Sequence, residues 1–131
     1  METIKYDAET GEKLTRDTRN ITITYRGRDK TFLMPGWYPK DSDEGTFTDE
    51  DMKVYDSALN QLKAETENLL LPNDIRSIRK KLKLTQVQAG AILGGGKKAF
   101  QKYESGEILP SRAISNLLKL LSIQPGLLKS L

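Results

Sequence analysis

The spacing of apolar positions changes twice along this chain. From Asn20 to Tyr25 it is two: Ile21, Ile23 and Tyr25 alternate with Thr22 and Thr24, as in a strand with one buried face. Arg26-Gly27-Arg28-Asp29 reads as a turn, Lys30–Met34 as the returning hairpin strand, and Pro35-Gly36 as its end. Residues 1–19 are polar, with a turn at Glu9-Thr10-Gly11 and a weaker strand candidate over Lys13–Arg19. Trp37 and Tyr38 add large apolar area where so small a sheet needs cover. The spacing then becomes helical. Thr48 is placed to cap a helix, Asp49, Glu50 and Asp51 suit its first turn, and Met52, Tyr55, Leu59, Leu62, Thr66 and Leu69 form one stripe reaching to about Leu70. That stripe can pack on the N-terminal sheet or against a helix of another chain. Leu71-Pro72-Asn73 breaks the helix and marks a domain boundary.

Beyond the break every segment reads as helix. Asn73 is the expected cap of a helix over Asp74–Lys83, with Ile75, Ile78 and Leu82 on one side and Arg76, Arg79, Lys80, Lys81 and Lys83 over the rest. Thr85 caps a second helix, which the run Gly94-Gly95-Gly96 ends, and a third spans about Lys97 to Ser105. Ser111 caps a fourth, with Ile114, Leu117, Leu118 and Leu121, and Pro125 starts a short last one ending in Leu127, Leu128 and Leu131. In the third helix Lys98, Gln101, Lys102 and Ser105 share a polar, basic face, while Phe100 and Tyr103 fall on another and enter the core. Gly90 leaves no side chain where the second and third helices approach. A basic helix held by a packed neighbour across a tight turn is what insertion into the DNA major groove requires, so Thr85–Gly106 reads as a helix-turn-helix.

Charge sharpens that division. The net charge is +3, yet residues 73–131 carry 11 Lys+Arg against 3 Asp+Glu while residues 1–72 carry 10 against 15. A basic C-terminal half favours phosphate backbones; an acidic N-terminal half would be repelled by them and suits a protein partner. Neither cysteine nor histidine is present, which removes disulfides, thiolate or imidazole metal sites, and Cys or His catalysis. No apolar run approaches a bilayer span and the N-terminus lacks a signal-peptide core, so a cytoplasmic protein without membrane contact is expected. The 59 residues after Pro72 make a small domain, for which burying surplus leucines in a homodimer would help; the same leucines could instead complete a monomer core.

Two motifs fail on spacing. Asp41-Ser42-Asp43-Glu44-Gly45 suggests a calcium loop, but the sixth and twelfth positions counted from Asp41 hold Thr46 and Met52 in place of Gly and Glu. Gly-Gly-Gly-Lys suggests a phosphate loop, but Ala91 and Lys98 stand where Gly and Ser/Thr are required. No enzyme constellation remains, and no cofactor or metal is expected.

Thr85-Gln86, small Gly90, Gly94, Phe100, Tyr103 and Glu104-x-Gly106 resemble the Xre/Cro-type helix-turn-helix. The resemblance implies Gln86 as a phosphate contact and Lys97, Lys98, Gln101 and Lys102 as groove residues, to which the polar face adds Ser105; Gly90 stands where that family usually has alanine. Ile78–Leu82, Leu84-Thr85-Gln86, Gly94–Gly96, Ala99-Phe100, Tyr103-Glu104, Gly106, Leu117-Leu118, Pro125 with Leu127-Leu128, and Tyr25-Arg26-Gly27-Arg28 are together similar to the MqsA-type antitoxins. That resemblance implies a toxin-binding N-terminal domain followed by a dimerising, DNA-binding helical one. Two departures accompany it. The family's zinc-binding cysteine pairs are absent, with Thr3 and Tyr6, then Pro39 and Ser42, near the corresponding places; and Lys98 and Lys102 replace the asparagine and arginine of the family's recognition helix. The expected fold is α+β: residues 1–71 a small sheet plus a long helix, residues 72–131 an all-α five-helix DNA-binding and dimerisation domain. The expected function is sequence-specific repression at a palindromic operator, combined with neutralisation of a toxin. The alternative is a phage or mobile-element transcriptional regulator with no toxin partner.

Overall fold

Arg26 and Gly27 both take positive φ, at 49° and 78°, and the chain reverses on these two residues alone. A turn of this kind matches the right-handed twist of the strands it joins and sets their register. The computed structural model describes residues 3–131. Strand β2 (Lys13–Tyr25) runs into the turn and β3 (Arg28–Pro39) leaves it, with Tyr25 opposite Arg28 and Leu14 opposite Pro39. A short β1 (Ile4–Tyr6) pairs antiparallel with the start of β2, giving the order β1-β2-β3. The alternation over 20–25 holds: Ile23 is buried and Thr22 and Thr24 are exposed.

The hairpin is longer than the expected one at both ends. Pro35-Gly36 does not stop β3, because Pro35 sits where its missing N–H costs nothing. Trp37 donates its N–H to the Thr46 carbonyl at 2.9 Å, away from β2, and the nitrogen two residues earlier lies on the same side. Trp37 and Tyr38 point to opposite faces. Tyr38 is fully buried, bonds its hydroxyl to the Met34 carbonyl at 2.8 Å and meets Phe47 edge-on at 5.9 Å. Trp37 is half-buried, with the Arg16 guanidinium 5.2 Å and the Lys5 ammonium 5.7 Å from its ring.

Helix α1 (Asp49–Glu67) starts as expected. The Thr48 hydroxyl accepts from Asp51 N at 3.1 Å and the Asp51 carboxylate accepts from Thr48 N at 3.0 Å, a reciprocal cap. It ends where Asn68 turns left-handed at φ 55° and Leu69 N bonds back to the Ala64 carbonyl. Its buried stripe keeps Tyr55, Leu62 and Leu69 of the expected one but is offset by one residue at two positions, where Asp51 and Ala58 take the buried places expected of Met52 and Leu59. Asp51, Ala58 and Leu62 are buried, Tyr55 is half-buried and meets Phe32 edge-on at 6.0 Å, and Met52 is 38% exposed. The offset exists because Asp51 is held inward: Arg16 bonds both its oxygens at 2.9 Å.

Contact density divides the chain within α1, the first unit ending at Ala58 and the second beginning at Leu59. The second holds α2 (Pro72–Lys81), α3 (Gln86–Leu93), α4 (Ala99–Ser105), α5 (Arg112–Ile123) and a closing 3-10 helix (Pro125–Ser130). Pro72 is the first residue of α2 and not a breaker outside it, since proline suits a position whose N–H has no helical partner; Asn73, the expected cap, lies inside the helix. Ile75, Leu82, Ala89, Leu93, Phe100, Tyr103, Leu118 and Leu121 form the core, with Leu128 packed on it. Among the described residues no helix is long and apolar enough to cross a membrane.

Candidate nucleic-acid interface

Helix α4 has only seven residues, too few to be stable alone, so its position depends on what grips it. The first grip is the core: Phe100 is fully buried and meets Tyr103 edge-on at 5.4 Å. The second is the turn before it. Thr85 caps α3 through a reciprocal bond pair with Gln88, at 3.1 and 2.9 Å, and α3 ends on Gly94, Gly95 and Gly96 at φ 109°, 99° and 90°. Three successive residues in this region exclude side chains on energetic grounds. The turn folds back over Gly90, whose carbonyl accepts from Gly94 N at 3.1 Å and Gly96 N at 3.4 Å. A Cβ at position 90 would lie 1.9 Å from the Gly96 carbonyl oxygen. Gly90 therefore makes room for the turn's own backbone, and the usual alanine would not fit this turn.

The third grip is ionic. Glu104, its side chain 1% exposed, receives Arg79 Nε and Nη2 at 2.8 Å each, with Arg76 Nε at 3.4 Å. Arg79 Nη1 also donates to the Leu84 carbonyl at 2.9 Å, so one guanidinium joins α2, α4 and the α2–α3 loop. Burial by itself raises the Glu104 carboxyl; hydrogen bonds from Arg79 and then Gln86, with the Arg79 charge and Arg76, outweigh it and hold Glu104 below its ordinary value. Arg79 was expected among the cations covering the outside of α2. A signal to the contrary was available: it lies four residues after Ile75 and three before Leu82, on the buried stripe, and Glu104 lies four after Phe100.

The expected contact residues are distributed as follows. Lys97 and Lys98 precede α4, which begins at Ala99 and not at Lys97, and both are exposed. Gln101 is exposed and Lys102 half-buried, one helical step apart. Ser105 is exposed, but its hydroxyl donates to the Lys102 carbonyl at 3.1 Å and accepts from Glu107 N at 3.4 Å, closing the helix end. Gln86 is half-buried at the start of α3, and its side chain is among the groups that lower the Glu104 carboxyl. Lys97, Lys98, Gln101 and Lys102 thus line one end and one side of α4, and Gln86 stands on the preceding helix beside the residue that anchors it.

The first unit was expected to do without metal, and its residues do not fit zinc. At the places near the family's cysteine pairs, Tyr6 is 66% exposed and Pro39 offers no side-chain donor. The backbone there already has a cation. Arg19 donates to the Ser42 carbonyl, to the Pro39 carbonyl at 2.8 Å and to Asp43 at 3.0 Å, with its guanidinium 4.6 Å from the Tyr38 ring centre. Among the described residues no group of three His, Cys, Asp or Glu gathers as metal ligands.

A profile of the family described as the antitoxin component of a bacterial toxin-antitoxin system, MqsA, matches residues 5–131. The chain is also 34% identical over 116 residues to Antitoxin MqsA of Escherichia coli (strain K12), spanning 86% of this chain and 88% of that protein.

Proposed function

The chain belongs to the MqsA antitoxin family, and from that premise we propose that it is a DNA-binding antitoxin that represses its own operon and neutralises a toxin. The observation that carries the DNA half is the cluster of exposed Lys97, Lys98 and Gln101 with half-buried Lys102, at the start and along one side of a helix gripped by core, turn and buried ion pair. Lysine matches the O6 and N7 acceptors of guanine, so Lys98 and Lys102 read guanines in each half-site, with Lys97 and Gln101 beside them in the groove, while Gln86 contacts backbone phosphate. Gln86 and Arg79 both address Glu104, which orients the phosphate-binding residue and the reading helix from one carboxylate.

We assign DNA binding and dimerisation to residues 72–131 and toxin binding to residues 1–71. Leu120, Ile123, Leu127 and Leu131 are 61%, 74%, 49% and 61% exposed, a concentration of apolar surface at the C-terminal end that supports a homodimer formed there. Two-fold symmetry then calls for an inverted-repeat operator with half-sites about one helical turn, or a multiple, apart. The protein works in the cytoplasm, where its DNA is, and acts by binding and not by catalysis. Co-expression with the adjacent coding frame tests the toxin half. Growth rescue and co-purification are expected; a toxic neighbour that is neither rescued nor bound would end the antitoxin assignment and leave the repressor one standing.

A further inference from the structure

Helix α4 has a fourth grip, from a residue far away in sequence. Beyond Ser105 the chain leaves α4 through Gly106 at φ 84°, whose N–H bonds the Tyr103 carbonyl at 3.3 Å. The carbonyls of Gly106 and Glu107 both point at one side-chain amide: Asn60 Nδ2 donates to them at 3.0 and 3.1 Å. An amide nitrogen carries two hydrogens, and here each has a carbonyl. The clamped segment is bonded in turn to the reading helix, since Ile108 N donates to the Lys102 carbonyl at 3.3 Å. Asn60 therefore connects to the backbone of Lys102 through a single loop of three residues. At the start of α4, Lys98 occupies the cap position without a side-chain cap bond.

We propose that Asn60 is a positioning residue for operator recognition, its amide fixing the Gly106–Glu107 backbone and through it the direction in which Lys102 meets a base. The proposal rests on the DNA-reading role of α4. A lysine reading guanine must be held in register with the base edge, whereas attraction to phosphate tolerates displacement. Loosening this end of α4 therefore lowers specific binding more than non-specific binding.

The test uses the full chain with Asn60→Ala, Asn60→Asp and the control Gln61→Ala, whose exposed side chain bonds Glu65 on its own helix at 3.0 Å. Asn60→Asp keeps the size but presents an acceptor to two carbonyls. Affinity for the operator fragment and for a scrambled duplex is measured across a salt series, well below each variant's melting temperature. Both Asn60 variants are expected to lose about tenfold in the ratio of specific to non-specific affinity, and the uncharged Asn60→Ala keeps the wild-type salt slope on scrambled DNA, as befits a lost orientation and not a lost charge. Gln61→Ala should match the wild type. An unchanged ratio in both Asn60 variants overturns the proposal, as does a parallel fall in both affinities that follows the folded fraction, which a merely structural role produces. A wild-type protein that does not distinguish operator from scrambled duplex would instead remove the DNA-reading role itself, and this proposal with it.

Discussion

Replacing Gly90 by alanine separates two opposite expectations. Helix propensity favours the change, since alanine in a helix interior is better than glycine by about 1 kcal/mol. The structure opposes it. The added Cβ would stand 1.9 Å from the Gly96 carbonyl oxygen and 2.8 Å from its carbon, against about 3.0 Å for the closest approach real Cβ atoms make. The Gly96 peptide would have to retreat by more than about 1 Å, and it is backbone, not a flexible side-chain tip. Retreat would weaken the 3.4 Å bond from Gly96 N to the Gly90 carbonyl and disturb a turn already held at three positive φ angles. Overpacking of this kind costs about 1–3 kcal/mol, and a direct backbone collision belongs at the upper end. With the propensity gain subtracted, Gly90→Ala should destabilise the second unit by about 1–2 kcal/mol. Urea denaturation followed by far-UV circular dichroism reads this directly, and operator affinity should fall as well because the turn sets where α4 begins. A variant that is more stable than the wild type and binds DNA equally well would show that the turn is not pinned against α3.

Three further outcomes follow from the ion pairs and the basic face. Asp51 is held at a pKa of about 2 by the Arg16 hydrogen bonds, against the opposing effect of its burial and with help from the Thr48 backbone N–H. Its folded pKa is lowered, so its stabilisation is complete above the usual carboxylate range and fades as pH falls from about 4 towards 2; Asp51→Asn should cost about 2 kcal/mol at neutral pH and flatten that acid limb in pH-dependent melts. Glu104→Gln leaves the Arg79 charge buried against a neutral amide, an expected loss of about 3 kcal/mol with weaker operator binding; an unchanged denaturation midpoint would mean that Arg79 has found water. Lys102→Ala should cost about 1–3 kcal/mol of base discrimination, measured by competition with operators altered at single positions, whereas uniform weakening with a shallower salt slope would assign this lysine to phosphate alone.

The helical half was legible because its signals are local. Thr85 and Ser111 cap their helices with side-chain oxygens as their sequence positions suggest, and the glycine run ends α3. What escaped the sequence was long-range. Pro35 reads as a stop until the open edge of β3 is known, and β1 is three exposed residues that show no alternation. Arg79 and Glu104 look like surface charges unless each is placed on its buried stripe and the two stripes are brought together across 25 residues. The start of the α1 stripe reads as Met52 and not Asp51 for the same reason, since an aspartate does not count as inward-facing until Arg16 meets it. The missing cysteines were plain from composition, whereas Arg19 gathering the Pro39 and Ser42 carbonyls could be seen only in three dimensions.

Operator recognition by this protein rests on the end and side of α4 formed by Lys97, Lys98, Gln101 and Lys102, which are proposed to read an inverted repeat. Footprinting of the full chain on the promoter region of its own operon tests it most directly, comparing the wild type with the Lys98→Ala/Lys102→Ala double variant. Two protected half-sites are expected, related by two-fold symmetry and about one helical turn or a multiple apart, each with a guanine that the double variant no longer protects. A footprint that the double variant reproduces base for base would contradict it.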